Sequence, residues 1–222
     1  MKHRDFIASI KGSTFDRATA NKLRILTIKG EIVGSLIPVG DWILSDEIAL
    51  QKITDWRLKF NRMFPTRTSV TSSSTKKHIK NSYIDNSDAI FFLIFTESDE
   101  LVGHIGLCSL DKKSFELANL MRGASGGNND LIYLAELCLV NFGFGLEDYN
   151  QCHVEIMSYN WIVSELHQKV GFVETCSSPL FKSEDSIGIS HRKVEISEKN
   201  VEYTINTMSL SKDLFYSLHN FQ

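Results

Sequence analysis

Asn160-Trp161-Ile162-Val163-Ser164-Glu165-Leu166-His167-Gln168-Lys169-Val170-Gly171-Phe172 is the stretch on which the reading of this chain turns. It follows the apolar run 152–157, which reads as a strand. An Asn leaves that strand and caps a helix over 161–169. Gly171 ends the helix, because glycine adopts a positive φ without steric cost, and Phe172 returns the chain to the core. Working upstream, 131–144 carries an apolar helical stripe of Leu131, Leu134, Leu137, Cys138 and Phe142. Before it stands a Gly-rich loop, 123–129, and before that a strand over 115–121. Strand, loop, helix, strand, helix implies a parallel or splayed strand pair.

The surrounding segments make the rest of the sheet antiparallel. Runs 89–95 and 101–110, joined by the polar turn 97–100, read as a hairpin. Runs 192–196 and 202–210 read as a closing strand pair. Nearer the N-terminus, 23–28 alternates like a strand ending at Gly30. A helical pattern covers 45–64, with Ser45 as N-cap before Asp46-Glu47 and Pro65 as its stop. Residues 66–75 read as a loop and 76–84 as a short helix. The expectation is one domain over 1–222, core about 20–212, of mixed α/β (α+β) class. The βα repetition of a doubly wound sheet is missing.

Composition limits the function classes. The 222 residues are 42% hydrophobic and 23% charged, with 24 Lys+Arg against 27 Asp+Glu and a net charge of −3. That describes an ordinary globular protein and disfavours nucleic acid as the main partner. Lys76-Lys77-His78 and His191-Arg192-Lys193 are too short to change this. Met1-Lys2-His3-Arg4 is basic, but no apolar stretch follows it. The longest apolar run, 89–95, falls far short of the roughly 20 residues that span a bilayer. Cys108, Cys138, Cys152 and Cys176 show neither C-x-x-C nor zinc spacing. The expectation is a cytoplasmic protein with no membrane partner and no metal.

Arg122-Gly123-Ala124-Ser125-Gly126-Gly127 follows a strand and opens a helix. Backbone N–H groups of such a loop, with the helix N-terminus, suit an anion such as a pyrophosphate. A plain surface loop is the competing reading. The loop is neither a Walker A motif nor G-x-G-x-x-G.

The strand together with Asn160 to Phe172 resembles the signature of the GCN5-related N-acetyltransferase (GNAT) superfamily: Asn, seven residues to a Tyr, four more to Gly-Phe. Asn160, His167, Gly171 and Phe172 fall in that register. The Gly-rich loop is similar in position to the family's pyrophosphate loop, usually Arg/Gln-x-x-Gly-x-Gly. The resemblance covers about 90–210. Two departures stand out: the loop reads Arg-x-x-x-Gly-Gly, and His167 replaces the usual Tyr, a common general acid toward the departing thiolate. Histidine can do that work near neutral pH, or only pack near the pantetheine. The resemblance implies a GNAT fold with a mostly antiparallel sheet. It also implies acetyl-CoA or another short-chain acyl-CoA as co-substrate, held by Leu120, Met121, Arg122, Gly123, Ser125, Gly126, Gly127, Asn128, Asn160 and His167. Backbone N–H near Leu120 and Met121 is expected to stabilise the oxyanion.

A narrower resemblance lies in Gly103-His104-Ile105-Gly106-Leu107 and Glu116-Leu117-Ala118-Asn119-Leu120-Met121-Arg122-Gly123. Both are similar to a GNAT subgroup that acylates amines on nucleotide-linked deoxy sugars for surface polysaccharides, often with Glu-x-Asp-Asn-x-x-Arg-Gly. Ala118 stands at the Asp position. The acceptor amine must attack as a free base, so a proton acceptor is required. His104, Glu116 and Glu155 are the candidates, each with a plain structural alternative. Strand alternation puts Glu116 and Asn119 on opposite faces unless a bulge intervenes; GNAT proteins commonly have one in this strand. Asn119, Trp56, Arg57 and Tyr83 are the expected substrate-binding residues, with Trp42, Arg62 and Arg67 in the same region.

Three functions stay open: a nucleotide-amino-sugar N-acyltransferase acting by direct attack, a protein or ribosomal N-terminal acetyltransferase, and a non-catalytic acyl-CoA-binding protein. The partner expected for the first is a small nucleotide sugar of dTDP type; a homodimer is also possible.

Overall fold

In the computed structural model, residues 3–110, 113–186 and 188–219 are described. Ten strands form one sheet: β1 (Leu23–Leu26), β2 (Ile32–Pro38), β3 (Arg67–Thr68), β4 (Ile90–Thr96), β5 (Leu101–Cys108), β6 (Ser114–Arg122), β7 (Gln151–Met157), β8 (Val173–Glu184), β9 (Gly188–Lys193) and β10 (Thr204–Ser211). Their order across the sheet is β1-β2-β4-β5-β6-β7-β10-β8-β9-β3. Every pairing is antiparallel except β6 with β7. This is the mixed sheet expected from the strand–loop–helix–strand order.

Helix α1 (His3–Lys11), α2 (Phe15–Ala20), α3 (Glu47–Lys59), α4 (Ser72–Ile79), α5 (Leu131–Leu146), α6 (Trp161–Val170) and α7 (Lys212–Leu218) cover the sheet. One core joins α5 to Phe92, Ile94, Ile105, Phe115 and Leu117; the other joins α3 to Phe91, Leu93, Met121 and Tyr83. Alternation along β4 accounts for this division, since successive side chains leave opposite faces.

Several expectations need correction. Ser45 lies in a 3-10 turn, Asp41–Ser45, and Asp46 caps α3, its Oδ1 accepting from the Ala49 N–H at 2.9 Å. Two strands had no sequence signal. β2 is buried at six consecutive positions, so no period-2 pattern marks it. β8 is mostly exposed and polar, so no apolar run marks it either. The closing pair is also different: β10 lies between β7 and β8, while β9 pairs with β8 and β3. Residues 66–75 contain β3 and the start of α4 rather than loop alone.

Helix α4 runs into a π-helical turn, Lys80–Ile84, which carries Tyr83. From α1, the buried Lys11 reaches across and donates through Nζ to the carbonyls of Tyr83 at 2.5 Å and Asn86 at 2.6 Å. Lys11→Met keeps the stem but strands these acceptors. It is expected to lower stability by about 1–3 kcal/mol, the cost of leaving such groups unpaired. Thermal unfolding of the variant checks this, and an unchanged midpoint would show that the tie contributes nothing.

Candidate active site

β6 and β7 pair only over Ser114–Glu116 and Gln151–His153. Beyond Glu116 they separate, while β7 keeps its pairing with β10 up to Met157. The edges of 117–122 and 154–157 that face each other therefore lack strand partners, and backbone groups need partners. An extended ligand with amides of its own fits this gap.

Just past the gap's vertex, β6 bulges. His104 pairs with Met121 and Gly106 with Ala118, so one residue of β5, Ile105, opposes two of β6, Asn119 and Leu120, and Asn119 takes φ +54°. A bulge re-aims the side chains beyond it. Asn119 is thereby turned to the face of Glu116, and its Nδ2 donates to the Tyr83 hydroxyl. The Cys108 thiol reaches the same oxygen at 3.8 Å. On the adjacent strand His104 Nδ1 lies 2.7 Å from the Asn119 carbonyl, which can only accept, so the proton sits on Nδ1. Burial lowers His104 to about 4. It is a neutral ring whose Nε2 is sealed and unpartnered.

Around this cluster stand the expected substrate-binding residues. Trp56 is buried on Gly123, where any Cβ would collide with the indole. Tyr83 is fully buried beneath. Burial, and then the charge of Arg57, lowers His78 to about 4. Arg57 itself is half-buried, its pKa lowered by burial, and among the described residues no hydrogen-bond or ion-pair partner meets it. Glu116 sits at the vertex. Burial raises its carboxyl above the usual range, Glu155 adds to this, and Lys193 opposes it. Glu155 is held by Lys193 at 2.5 Å.

The segment 60–71 after α3 is tied to the far side of the gap. Arg67 pairs with Ile189 of β9 and donates to the Tyr159 hydroxyl at 2.7 Å. That hydroxyl donates to the Arg62 carbonyl at 2.7 Å, and His191 Nδ1 to Pro65 O at 2.6 Å. Arg67 is therefore engaged, while the Arg62 side chain is exposed. Trp42 is a buried structural residue whose Nε1 donates to Pro38 O at 3.2 Å.

At the other end of the gap lies the Gly-rich loop. The N–H groups of Gly123 and Ala124 are spent on Val102 O, at 2.8 and 3.1 Å. Arg122 turns inward and donates to the carbonyls of Gly126 at 2.9 Å and of Ala124 and Asn129 at 3.4 Å. With those carbonyls drawn inward, the N–H groups of Ser125, Gly126, Gly127 and Asn128 have no backbone acceptor among the described residues. Gly126 and Gly127 take φ +132° and +66°. Helix α5 follows at once, and Asp130 at its N-cap makes no side-chain cap. Free amides and an uncapped helix start form a cradle for an anion.

Asn160 occupies the N-cap of α6, but its side chain makes no capping bond and stays available. The helix ends as expected, with Gly171 at φ +111° and the N–H groups of Gly171 and Phe172 on His167 O. His167 is buried and its Nδ1 lies 2.6 Å from Oε1 of Glu136, a carboxylate fully buried on α5. Glu136 was missed in the sequence. Its signal was available: a lone carboxylate within the apolar stripe of 131–144. His78 and Cys108 were missed too, because only the fold brings them to Tyr83. Among the described residues no group of three or more His, Cys, Asp or Glu is placed to hold a metal ion, and no helix is long and apolar enough to cross a membrane.

No protein-family model matches this chain, and no curated protein matches it. Solved structures do. The ribosomal L7/L12 alpha-N-protein acetyltransferase RimL, in complex with coenzyme A, superposes with a TM-score of 0.64 at 12% identity, over 87% of this chain and 99% of that one. The chain has the GNAT fold. Spermidine N-acetyltransferase from Vibrio cholerae, in complex with CoA and spermine, gives a TM-score of 0.58 at 13% identity, over 76% and 93% of the two chains. Apo FdhC, a nucleotide-linked sugar GNAT, gives 0.57 at 18% identity, over 83% and 90%. At these identities the likeness concerns the GNAT fold, in which β6 and β7 here supply the splayed pair.

Proposed function

We propose that this chain is a cytoplasmic acyl-CoA-dependent N-acyltransferase that acylates the amine of a nucleotide-linked deoxy-amino sugar of dTDP type, for surface polysaccharide. Support for the donor comes from the gap between β6 and β7 and the free amides of Ser125 to Asn128. The first suits the amides of a pantetheine arm and the second a pyrophosphate. The observation that carries the acceptor is Arg57, a half-buried guanidinium with no hydrogen-bond or ion-pair partner among the described residues, next to Trp56 in sequence and within electrostatic reach of His78 and Tyr83. Such a charge calls for an anion, and a nucleotide diphosphate next to aromatic rings supplies one. The narrower motif resemblance and the fold shared with FdhC agree.

In this reading the amine attacks the thioester directly. Glu116 takes its proton, because the carboxyl is part-exposed at the vertex and its raised pKa makes it a better base than an ordinary carboxylate. His104 is sealed, its proton locked onto the Asn119 carbonyl, so it holds the bulge instead. Glu155 is engaged by Lys193. Backbone N–H near Leu120 and Met121 steadies the carbonyl oxygen, and His167 protonates the leaving sulfur.

Acyl-CoA donors screened against thymidine- and uridine-diphosphate amino sugars, polyamines and N-terminal peptides, with thiol release as the signal, test this. Turnover is expected on a nucleotide-linked amino sugar. Arg57→Met should then raise the acceptor KM about tenfold or more, the loss of a charge-assisted bond, while the acyl-CoA KM stays within about twofold. Efficient acylation of a peptide, with none of any nucleotide sugar, would overturn the acceptor assignment.

A further inference from the structure

Helix α5 is apolar almost throughout, yet it carries Glu136 at its centre with no exposure to solvent. One carboxylate oxygen meets His167 Nδ1 at 2.6 Å; the other, Oε2, is sealed and has no partner. Stability does not explain such a pair. Apolar residues of similar volume usually hold a buried site as well or better. His167 is also fixed from behind: its carbonyl takes the N–H groups of Gly171 and Phe172, and its ring packs on Phe172 at 5.5 Å between centroids. With Nδ1 occupied, Nε2 is the ring's remaining polar atom. It has no protein partner among the described residues and is not one of the sealed atoms, so the small part of this buried ring that reaches the surface includes it.

We propose that Glu136 is a positioning residue: it fixes the orientation and protonation of His167, so that Nε2–H points outward as the proton donor to the departing thiolate. This rests on the acyltransferase reading and deepens it. The amine's electron pair forms the new C–N bond and the C–S bond breaks with its pair left on sulfur. The Nε2 proton moves to that sulfur. The imidazolium becomes a neutral imidazole that still donates Nδ1–H to Glu136. The amine proton leaves through Glu116, and water restores the proton on Nε2. A carboxylate behind the imidazole stabilises the charged ring it must carry before transfer.

The titratable neighbours of the pair are Cys152 on β7 and Tyr133 on α5. Burial raises both, so both remain protonated and neutral near neutral pH. Among the described residues, the one ion-pair partner of His167 is Glu136.

The full chain tests the proposal in two ways. Nitrogen-15 spectra of its histidines, with coenzyme A as the only added ligand, should show His167 protonated at Nδ1 and its Nε2 resonance shifting on addition. In turnover with acetyl-CoA, Glu136→Gln should lower kcat about 10–100-fold with KM for acetyl-CoA nearly unchanged, an effect of the size found when the hydrogen-bond partner that orients a metal-bound histidine is lost. The double variant Glu136→Leu with His167→Phe should unfold at the same temperature or higher, showing that the pair is not there for stability. If Glu136→Gln folds and the His167 resonances and kcat both match the wild type, the proposal falls. If the resonances respond to coenzyme A as described but no tested amine is acylated, the dyad stands and the acceptor assignment fails.

Discussion

Glu116→Gln is expected to cost about 10²–10⁴ in turnover, the usual worth of a general base. The pH profile gives the sharper reading. A base works only when ionised, so the rate falls as pH drops through its pKa. Burial raises the Glu116 carboxyl above its ordinary 4.5, Glu155 raises it further and Lys193 lowers it. The acid limb of kcat/KM should therefore lie above the range of a free carboxylate and vanish in Glu116→Gln. Lys193→Met should move the limb further up, since it removes the opposing cation and frees the Glu155 charge. A folded Glu116→Gln protein with wild-type rate and profile would take the role of base away from this residue.

The second large effect is expected at the Gly-rich loop. Gly126 and Gly127 hold φ values of +132° and +66°, which β-branched side chains avoid, and a Cβ on Gly127 would stand 2.8 Å from Thr96 Cγ2. Changing both to valine costs on the order of 1–3 kcal/mol per residue if the loop keeps its shape. The loop is exposed enough to rearrange instead, and the amides of Ser125 to Asn128 then change their orientation. Calorimetry should show coenzyme A affinity falling by about 10²-fold or more, the equivalent of roughly 2.7 kcal/mol. A folded double variant with unchanged affinity would move the pyrophosphate elsewhere.

The contrast between Asn119 and Glu136 shows how far the site could be read in advance. Alternation along β6 sends Glu116 and Asn119 to opposite faces, and that is what the residues alone imply. The bulge at φ +54° reverses it, so Asn119 meets Tyr83 on the Glu116 side. Such a bulge carries no compositional mark, because its cost is met by His104 from another strand. His167 was legible as a polar residue at a marked position. Its partner was not, since Glu136 lies 31 residues earlier on another helix.

Local physics determined the middle of this chain, from 89 to 171. The strand–loop–helix unit at 115–144, the hairpin at 89–110 and the capped helix at 161–171 each carry a period, a turn or a glycine stop that acts within a few residues. From them the mixed sheet and its splayed pair follow. What only the tertiary structure decided depends on contacts far apart in sequence. β2 is buried on both faces and β8 is mostly exposed, so neither shows a period. Segment 60–71 crosses the gap because Arg67 and Pro65 find β9 and Tyr159 more than ninety residues away. Arg57 acquires its meaning only there, since half-burial with no ion-pair partner among the described residues is a property of the folded surroundings and not of any neighbour along the chain.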